Sequence, residues 1–507
     1  MPVLRAGAAS TNITPPVGLD MEGYLREGPS AGVLDELTCQ AVVFDDGETR
    51  LVLAVADLIG ISRRLRQRVC AGIDLPPEQV MLTATHTHCG PGHLAREGHE
   101  DLLAQLADGI LRAVAAAEHA LQPAALIAGA VEAGGLAANR RDPEGPVDHT
   151  ATFLAAFPLA GIADEAVATI VNFACHPTIL DAKTLSYSAD FPGAARHAIG
   201  TLCGGHGVYL QGAAGDINPV HTEPSPAEAR RTGAILGAAV AREVLASARA
   251  LGSPRVINPS LDAARIVTGP VSGRLIEPAP LRACLADVAV EPKSHPPLPA
   301  IRAARAAATD PARQTELALE EYIASQTGFD SFDFPGSSPT LPVQAFRLGA
   351  GLTVAGLPGE PFTATGQQIR AASPGTVLLV GYANQAAGYL PPRDEFGRGG
   401  LEVGCSTHAP GTAERLEAEA VNLLRRVLYG RGRAPPSLLP GQDAGAKADQ
   451  RDDLGDLGCD VVQVSPGTGR LRPGQHLVGT AGQAAADHPG LRDEQNVGGG
   501  HESEVRR

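Results

Sequence analysis

Six short apolar runs, each closed by a cluster of polar or turn-forming residues, constrain this chain more than any other feature. They are 51–56 (LVLAVA), 80–84, 166–174, 208–210, 352–355 and 376–380. Runs of this length, rich in β-branched residues and bounded by Gly, Pro or polar groups, read as buried strands. Helical apolar spacing lies between several of them, over 62–72, 97–121 and 225–250, and again over 412–428. The third of these opens Ser225-Pro-Ala-Glu228, a capping box with proline at the first helical position. Alternation of this kind predicts an α/β domain with central mixed β-sheets flanked by helices.

The residues that close each run are as telling as the run itself. Asp57 comes after the first, His86 and His88 after the second, Cys175-His176-Pro177 after the third, and Gln211 with Gly215-Asp216 after the fourth. Gly359-Glu360-Pro361 comes after the fifth, and Tyr382, Asn384 and Tyr389 after the sixth. Ligands in α/β sheets gather outside the carboxyl ends of strands, so six such deliveries point to one crevice. A lone histidine in such a place is usually a hydrogen-bonded structural residue, and an aspartate after glycine is usually a turn. Taken together, two or three imidazoles and a carboxylate make a zinc donor set with an open position for water. If the strand continues past Ala84, His86 and His88 share one face; then both see one metal, or one binds while the other orients.

Other chemistries find no support. HExxH and a P-loop are absent, no serine stands after Gly359-Glu360 to make a nucleophile elbow, and no glycine cluster forms a dinucleotide fingerprint. Acidic residues outnumber basic ones, 56 to 41, for a formal charge of -15, which argues against nucleic acid or an anionic lipid surface as partner. The eight cysteines include no CxxC pair, which predicts free thiols in a reducing compartment, the cytoplasm. No secretory signal, membrane span or stable membrane anchor is evident. Nothing in the chain marks an oligomer interface.

The organisation predicted is one large domain over 1–430, with a Pro- and Ala-rich side elaboration over 257–342 that covers the site. A polar, Gly- and Pro-rich tail over 431–507 has too little apolar surface to order itself.

Read in order, Thr85-His-Thr-His-Cys-Gly-Pro-Gly92, Asn139-Arg140, Phe173-Ala-Cys-His-Pro-Thr178, Gln211-Gly-Ala-Ala-Gly-Asp-Ile-Asn-Pro219, Leu357-Pro-Gly-Glu-Pro-Phe362 and the 384–389 segment NQAAGY resemble the N-terminal, catalytic domain of the neutral/alkaline non-lysosomal ceramidase family. The opening, with Asn12-Ile-Thr-Pro-Pro16 and Gly23-Tyr24, is similar as well, and the resemblance spans about residues 5–430. It implies a catalytic zinc held by His86, His176, Glu360 and Tyr389. It also implies catalytic roles for His88, Arg140, Asp216 and Asn218, substrate contacts from Asn139, Gln211 and Asn384, and an orienting role for Asp57.

Four departures qualify that implication. Asn218 stands where the family has an active-site serine, and an amide cannot be a nucleophile. Leu401 replaces an aromatic residue before Glu402, and Ala386 replaces the first tyrosine of an Asn-x-Tyr-x-x-Tyr turn. The family's C-terminal β-sandwich has no counterpart in the polar tail. The expectation is therefore a zinc-dependent hydrolase of a small N-acyl amide in which metal-activated water attacks. The alternatives are a true ceramidase, acting on N-acylsphingosine, and a non-catalytic metal-binding relative.

Overall fold

Thr38–Asp45 and Arg50–Ala56 show why the apolar runs are continuous rather than alternating. Ala41, Val43, Val52, Ala54 and Ala56 face one core, and Val42, Phe44, Leu51, Leu53 and Val55 face another. Both faces of this sheet are covered, so polar alternation has no place in it. In the computed structural model, which describes residues 3–92, 99–160, 165–251, 271–325 and 340–430, helices Glu100–His119, Asp190–Cys203 and Pro226–Leu251 cover the first face, with Leu106, Ile110, Ile199, Leu236 and Val240 in the shared core.

A second sheet covers the other face. Phe346, Leu348, Val354, Leu378 and Val380 project from it into the core they share with Phe44 and Leu53. Its outer face carries Val343, Ala345, Ala355, Val377 and Leu379, which pack under Leu416, Ala420, Leu423 and Val427 of helix Thr412–Tyr429. The architecture is helix, sheet, sheet, helix, as the sequence predicted in outline. No helix among the described residues is long and apolar enough to cross a membrane.

The large sheet runs in the order His206–Gln211, Ala168–Phe173, Thr150–Pro158, Gln122–Glu132, Arg5–Asn12, Thr38–Asp45, Arg50–Ala56, Val80–Ala84, with Arg274–Leu275 added beside Gln122–Glu132. The smaller one runs Arg282–Ala289, Thr340–Gly349, Leu352–Gly356, Thr376–Val380. Most neighbours are antiparallel. The six runs singled out in the sequence instead form three parallel pairs, and each pair ends flush: Ala56 opposite Ala84, Phe173 opposite Gln211, Gly356 opposite Val380.

Hydrogen bonds tie those ends together. Gly381 N donates to Gln211 O (3.0 Å), Asn384 N to Leu82 O (2.7 Å), and Thr83 Oγ1 to Gly381 O (2.9 Å). Asn172 clamps Leu379 from both sides, accepting its N–H (2.9 Å) and donating to its carbonyl (2.8 Å).

The helix boundaries follow their caps. Leu65 N donates to Ser62 Oγ at the start of Arg63–Ala71, and Glu228 N donates to Ser225 Oγ where the capping box was expected, both at 3.2 Å. The segment 257–342 is a different matter. Arg282–Ala289 is the edge strand of the smaller sheet, Thr340–Gly349 is the strand beside it, and helices Leu298–Ala307 and Pro311–Ser325 lie between. Arg282–Ala289 and Thr340–Gly349 thus belong to the smaller sheet itself rather than to a side elaboration. The residues 257–270 and 326–339 of this segment, and the whole of the expected tail, lie outside the described residues.

Candidate metal centre

The strand Val80–Ala84 stops where Thr85 N bonds to Ala56 O (2.9 Å) and His86 N to Leu58 O (3.0 Å). His86 then takes a φ of +67°, a left-handed conformation that costs a non-glycine residue about 1 to 3 kcal/mol. The strand therefore does not continue, and His86 and His88 do not share a strand face. The reversal brings the two rings edge to edge instead, with Nε2 atoms 3.3 Å apart. Asp57 holds this corner from behind, accepting from Thr85 Oγ1 (3.1 Å) while it pairs with Arg196.

His176 arrives at the end of Ala168–Phe173. The Gln211 amide accepts from Cys175 N (3.2 Å) and donates to Cys175 O (2.7 Å), fixing the turn, and His176 N donates to Ile217 O (3.1 Å). Glu360 arrives after Gly359, whose φ of +58° and contact with Gly388 O leave no room for a side chain. Glu360 pairs in parallel register with Tyr389, which places those side chains as neighbours.

Four donor atoms converge. His176 Nε2 lies 3.2 Å from Glu360 Oε2, His86 Nε2 lies 3.4 Å from the same oxygen, and His88 Nε2 lies 3.3 Å from His86 Nε2. A tetrahedral ion with bonds of about 2.0 to 2.1 Å sets its ligands about 3.3 Å apart. The second ring nitrogens supply an independent test. His86 Nδ1 is 2.6 Å from Ile59 O and His176 Nδ1 is 2.6 Å from Ala214 O, so each Nδ1 carries the proton and donates it. The Nε2 lone pairs then face the Glu360 carboxylate with no hydrogen between them, a repulsive arrangement unless a cation sits among them. The ligand atoms of His86, His88 and His176, all buried, lie within 4.8 Å of one another.

The electrostatics agree. Burial, with Arg140 nearby, pushes His176 down to about 4, and burial with His86 and His176 beside it pushes His88 well below the imidazole range. Neutral rings are what a cation needs as ligands.

Beside the cluster, Arg140 is fixed on several sides. Nη1 donates to Asn218 Oδ1 (3.1 Å), Nη2 to Gly215 O (2.7 Å) and Tyr389 Oη (3.2 Å), and Nε pairs with Glu402 at 2.7 Å. Burial opposes its charge, but Tyr389 and Glu402 keep it fully protonated. Arg141 joins Glu402 and Glu395 in the same network. Burial and the Glu360 charge push the Tyr389 phenol well above its usual range.

The structure thus brings together His86, His88, His176 and Glu360, with Tyr389, Arg140 and Asn218 alongside. It gives the other expected residues different work. Asp216 accepts from Asn139 Nδ2 and Thr363 N, both at 2.8 Å, so its two oxygens join strand pair Ala137–Asn139/Ile217–Pro219 to the helix that begins at Thr363; burial raises its pKa. Asn384 is buried between Leu82 N (3.2 Å) and Gln344 (2.7 Å). Gln211 and Asn139 likewise bond to neighbouring groups of the fold.

Three residues were missed. Glu402 and Arg196 are partners that no spacing rule could assign, since 262 and 139 positions separate them from Arg140 and Asp57 along the chain. Tyr382 was visible at a strand end, yet only the structure stacks it on His86, ring centroids 4.0 Å apart.

A layered α/β protein with a buried nitrogen and oxygen donor cluster at the carboxyl ends of three parallel strand pairs is the class that fold and site define. The chain is related to the neutral/alkaline non-lysosomal ceramidases: residues 4–206 match the N-terminal domain of that family. The neutral ceramidase of Pseudomonas aeruginosa is 25% identical over 472 residues, covering 80% of this chain and 70% of that protein. Its crystal structure matches with a TM-score of 0.65 at 22% identity, over 87% of this chain and 77% of that one. A ceramidase complexed with C2 matches with a TM-score of 0.64 at 21% identity, over 87% and 78%.

Proposed function

We propose that this chain is a zinc-dependent hydrolase of an amide, N-acyl bond, acting on a small-molecule substrate in the cytoplasm. The observation that carries the reading is the set of Nε2 lone pairs aimed at one carboxylate, with the opposite ring nitrogens already committed to backbone carbonyls. His86, His176 and Glu360 would hold the ion, with His88 or Tyr389 as the fourth ligand. Zinc in such a site acts as a Lewis acid and lowers the pKa of a bound water to about 7.

The chain's own groups supply the rest. Arg140, locked by Asn218, Gly215 and Glu402, presents a fixed positive charge that polarises the substrate carbonyl. Asn218, in the family's serine position, positions that guanidinium and forms no bond to substrate. Hydrolysis adds water across the C–N bond, giving a carboxylate and an amine. His88, neutral and buried, would take a proton from the attacking water and pass it to the departing nitrogen when it is not itself a ligand.

The family relationship supports amide hydrolysis, while Asn218, Leu401 and the low aromatic content favour a substrate other than ceramide. The test is incubation of the zinc-loaded protein with a panel of N-acyl amines, N-acyl amino acids and detergent-solubilised ceramide. Release of carboxylate from a small N-acyl compound, abolished by chelation, is the result expected. Release of sphingosine alone would make the chain a ceramidase, and bound zinc without turnover of any amide would leave a metal-binding relative.

A further inference from the structure

Tyr382 carries a buried polar atom that the fold does not use. Its side chain is about 1% exposed, and its hydroxyl finds no hydrogen-bond partner among the described residues. A buried hydroxyl without a partner is costly, and a tyrosine that only needed to pack could be a phenylalanine. The fold nevertheless holds it firmly. Its φ is +55°, its N–H donates to Gly359 O (2.8 Å), and its ring lies against His86 at 4.0 Å with a 30° interplanar angle. The His176 ring stands edge-on to it at 6.5 Å. Glu360, Tyr389 and Arg140 are its charged or polar neighbours. The residue that carries the orphan hydroxyl is thus rooted beside the turn that delivers Glu360, with its ring held against one of the convergent imidazoles.

We propose that Tyr382 is a further catalytic residue whose hydroxyl donates a hydrogen bond to the acyl oxygen of the bound substrate, supplementing Arg140. The inference rests on the hydrolase reading above. The phenol keeps its proton throughout; it stabilises charge developing on oxygen and transfers nothing. A donor already in place and unpaired in the free protein needs no reorganisation when that charge develops.

The test is Tyr382→Phe in the zinc-loaded full chain, with four readouts. Because the hydroxyl has no protein partner, thermal stability and zinc content should stay the same, or stability should rise. The kcat on the best N-acyl substrate should fall about 10²-fold with KM little changed. Affinity for octanoate, a carboxylate of the product class, should fall about tenfold by calorimetry. A lowered melting temperature would mean that the fold holds the hydroxyl, lost zinc would make it a ligand, and unchanged kcat or octanoate affinity would remove the donor role; each overturns the proposal. Should the wild-type protein hydrolyse no amide, the hydrolase reading fails while octanoate still decides the hydroxyl's role. Octanoate that does not bind the wild-type protein overturns the proposal too.

Discussion

Replacing Arg196 by methionine tests how the fold supports the metal-binding corner. The guanidinium meets Asp57 through two parallel contacts, Nη1 to Oδ1 at 2.7 Å and Nη2 to Oδ2 at 2.6 Å, and Asp57 is fully buried. At an effective dielectric constant of about 20, unit charges about 4 Å apart attract by about 4 kcal/mol. Removing one partner of a buried pair costs about 3 to 5 kcal/mol because the other charge is left uncompensated. Here Thr38 N (2.8 Å), Thr38 Oγ1 (3.2 Å) and Thr85 Oγ1 (3.1 Å) still donate to the carboxylate, so the loss should lie near the lower end. Urea unfolding followed by circular dichroism measures it. The double variant Asp57→Asn/Arg196→Met buries no charge and should be less destabilised than Arg196→Met alone. Thr85 precedes His86, so zinc affinity should fall about 10- to 100-fold in the single variant. Stability within about 1 kcal/mol of wild type, with zinc affinity unchanged, would refute this reasoning.

Other perturbations address the neighbouring groups. Arg140→Lys keeps the charge but cannot reach Asn218, Gly215 and Tyr389 together, so kcat/KM should fall about 10²-fold with zinc content unchanged, measured by steady-state kinetics and metal analysis. Gln211→Leu strips the partners from Cys175 N and O; about 1 to 3 kcal/mol of stability should go, seen in urea unfolding, with weakened zinc retention because His176 is the next residue. Burial raises the Asp190 carboxyl to about 7, against opposing hydrogen bonds from Leu180 and Phe191 N–H and with Asp35 adding to the rise. The folded state thus favours the neutral acid, and stability should decline as pH rises from about 4 through about 7, a loss that unfolding curves at several pH values would show.

The sequence was most readable where chemistry and backbone coincide. The six runs that end in polar residues are the strands that form the three parallel pairs, because a strand buried on both faces must be apolar to its end and can turn polar only at its mouth. Gln122–Glu132 and Thr150–Pro158 escaped notice since both are filled with alanine, a residue depleted in strands that does not separate them from helix or loop. Pairing direction was also out of reach: Ala56 and Ala84 end flush only because the connection 57–79 crosses back over the sheet. Within the site, His86 and His88 were legible as a pair, but the left-handed turn at His86 that makes their rings meet depends on carbonyls of Leu58 and Ile59. Gln211 and Asn384 show what a strand-end position leaves open. A polar residue at a strand end suggests a substrate contact, whereas here their amides satisfy backbone and side-chain groups that the crossing strands would leave bare.

Metal analysis of the purified full chain after zinc loading and exhaustive dialysis bears most directly on the convergence of His86, His176 and Glu360. About one zinc per chain should remain in the wild-type protein, and His176→Ala and Glu360→Ala should retain far less while staying folded by circular dichroism. A wild-type protein that holds no zinc, or an equal content in all three proteins, would contradict the metal centre and the hydrolase built on it.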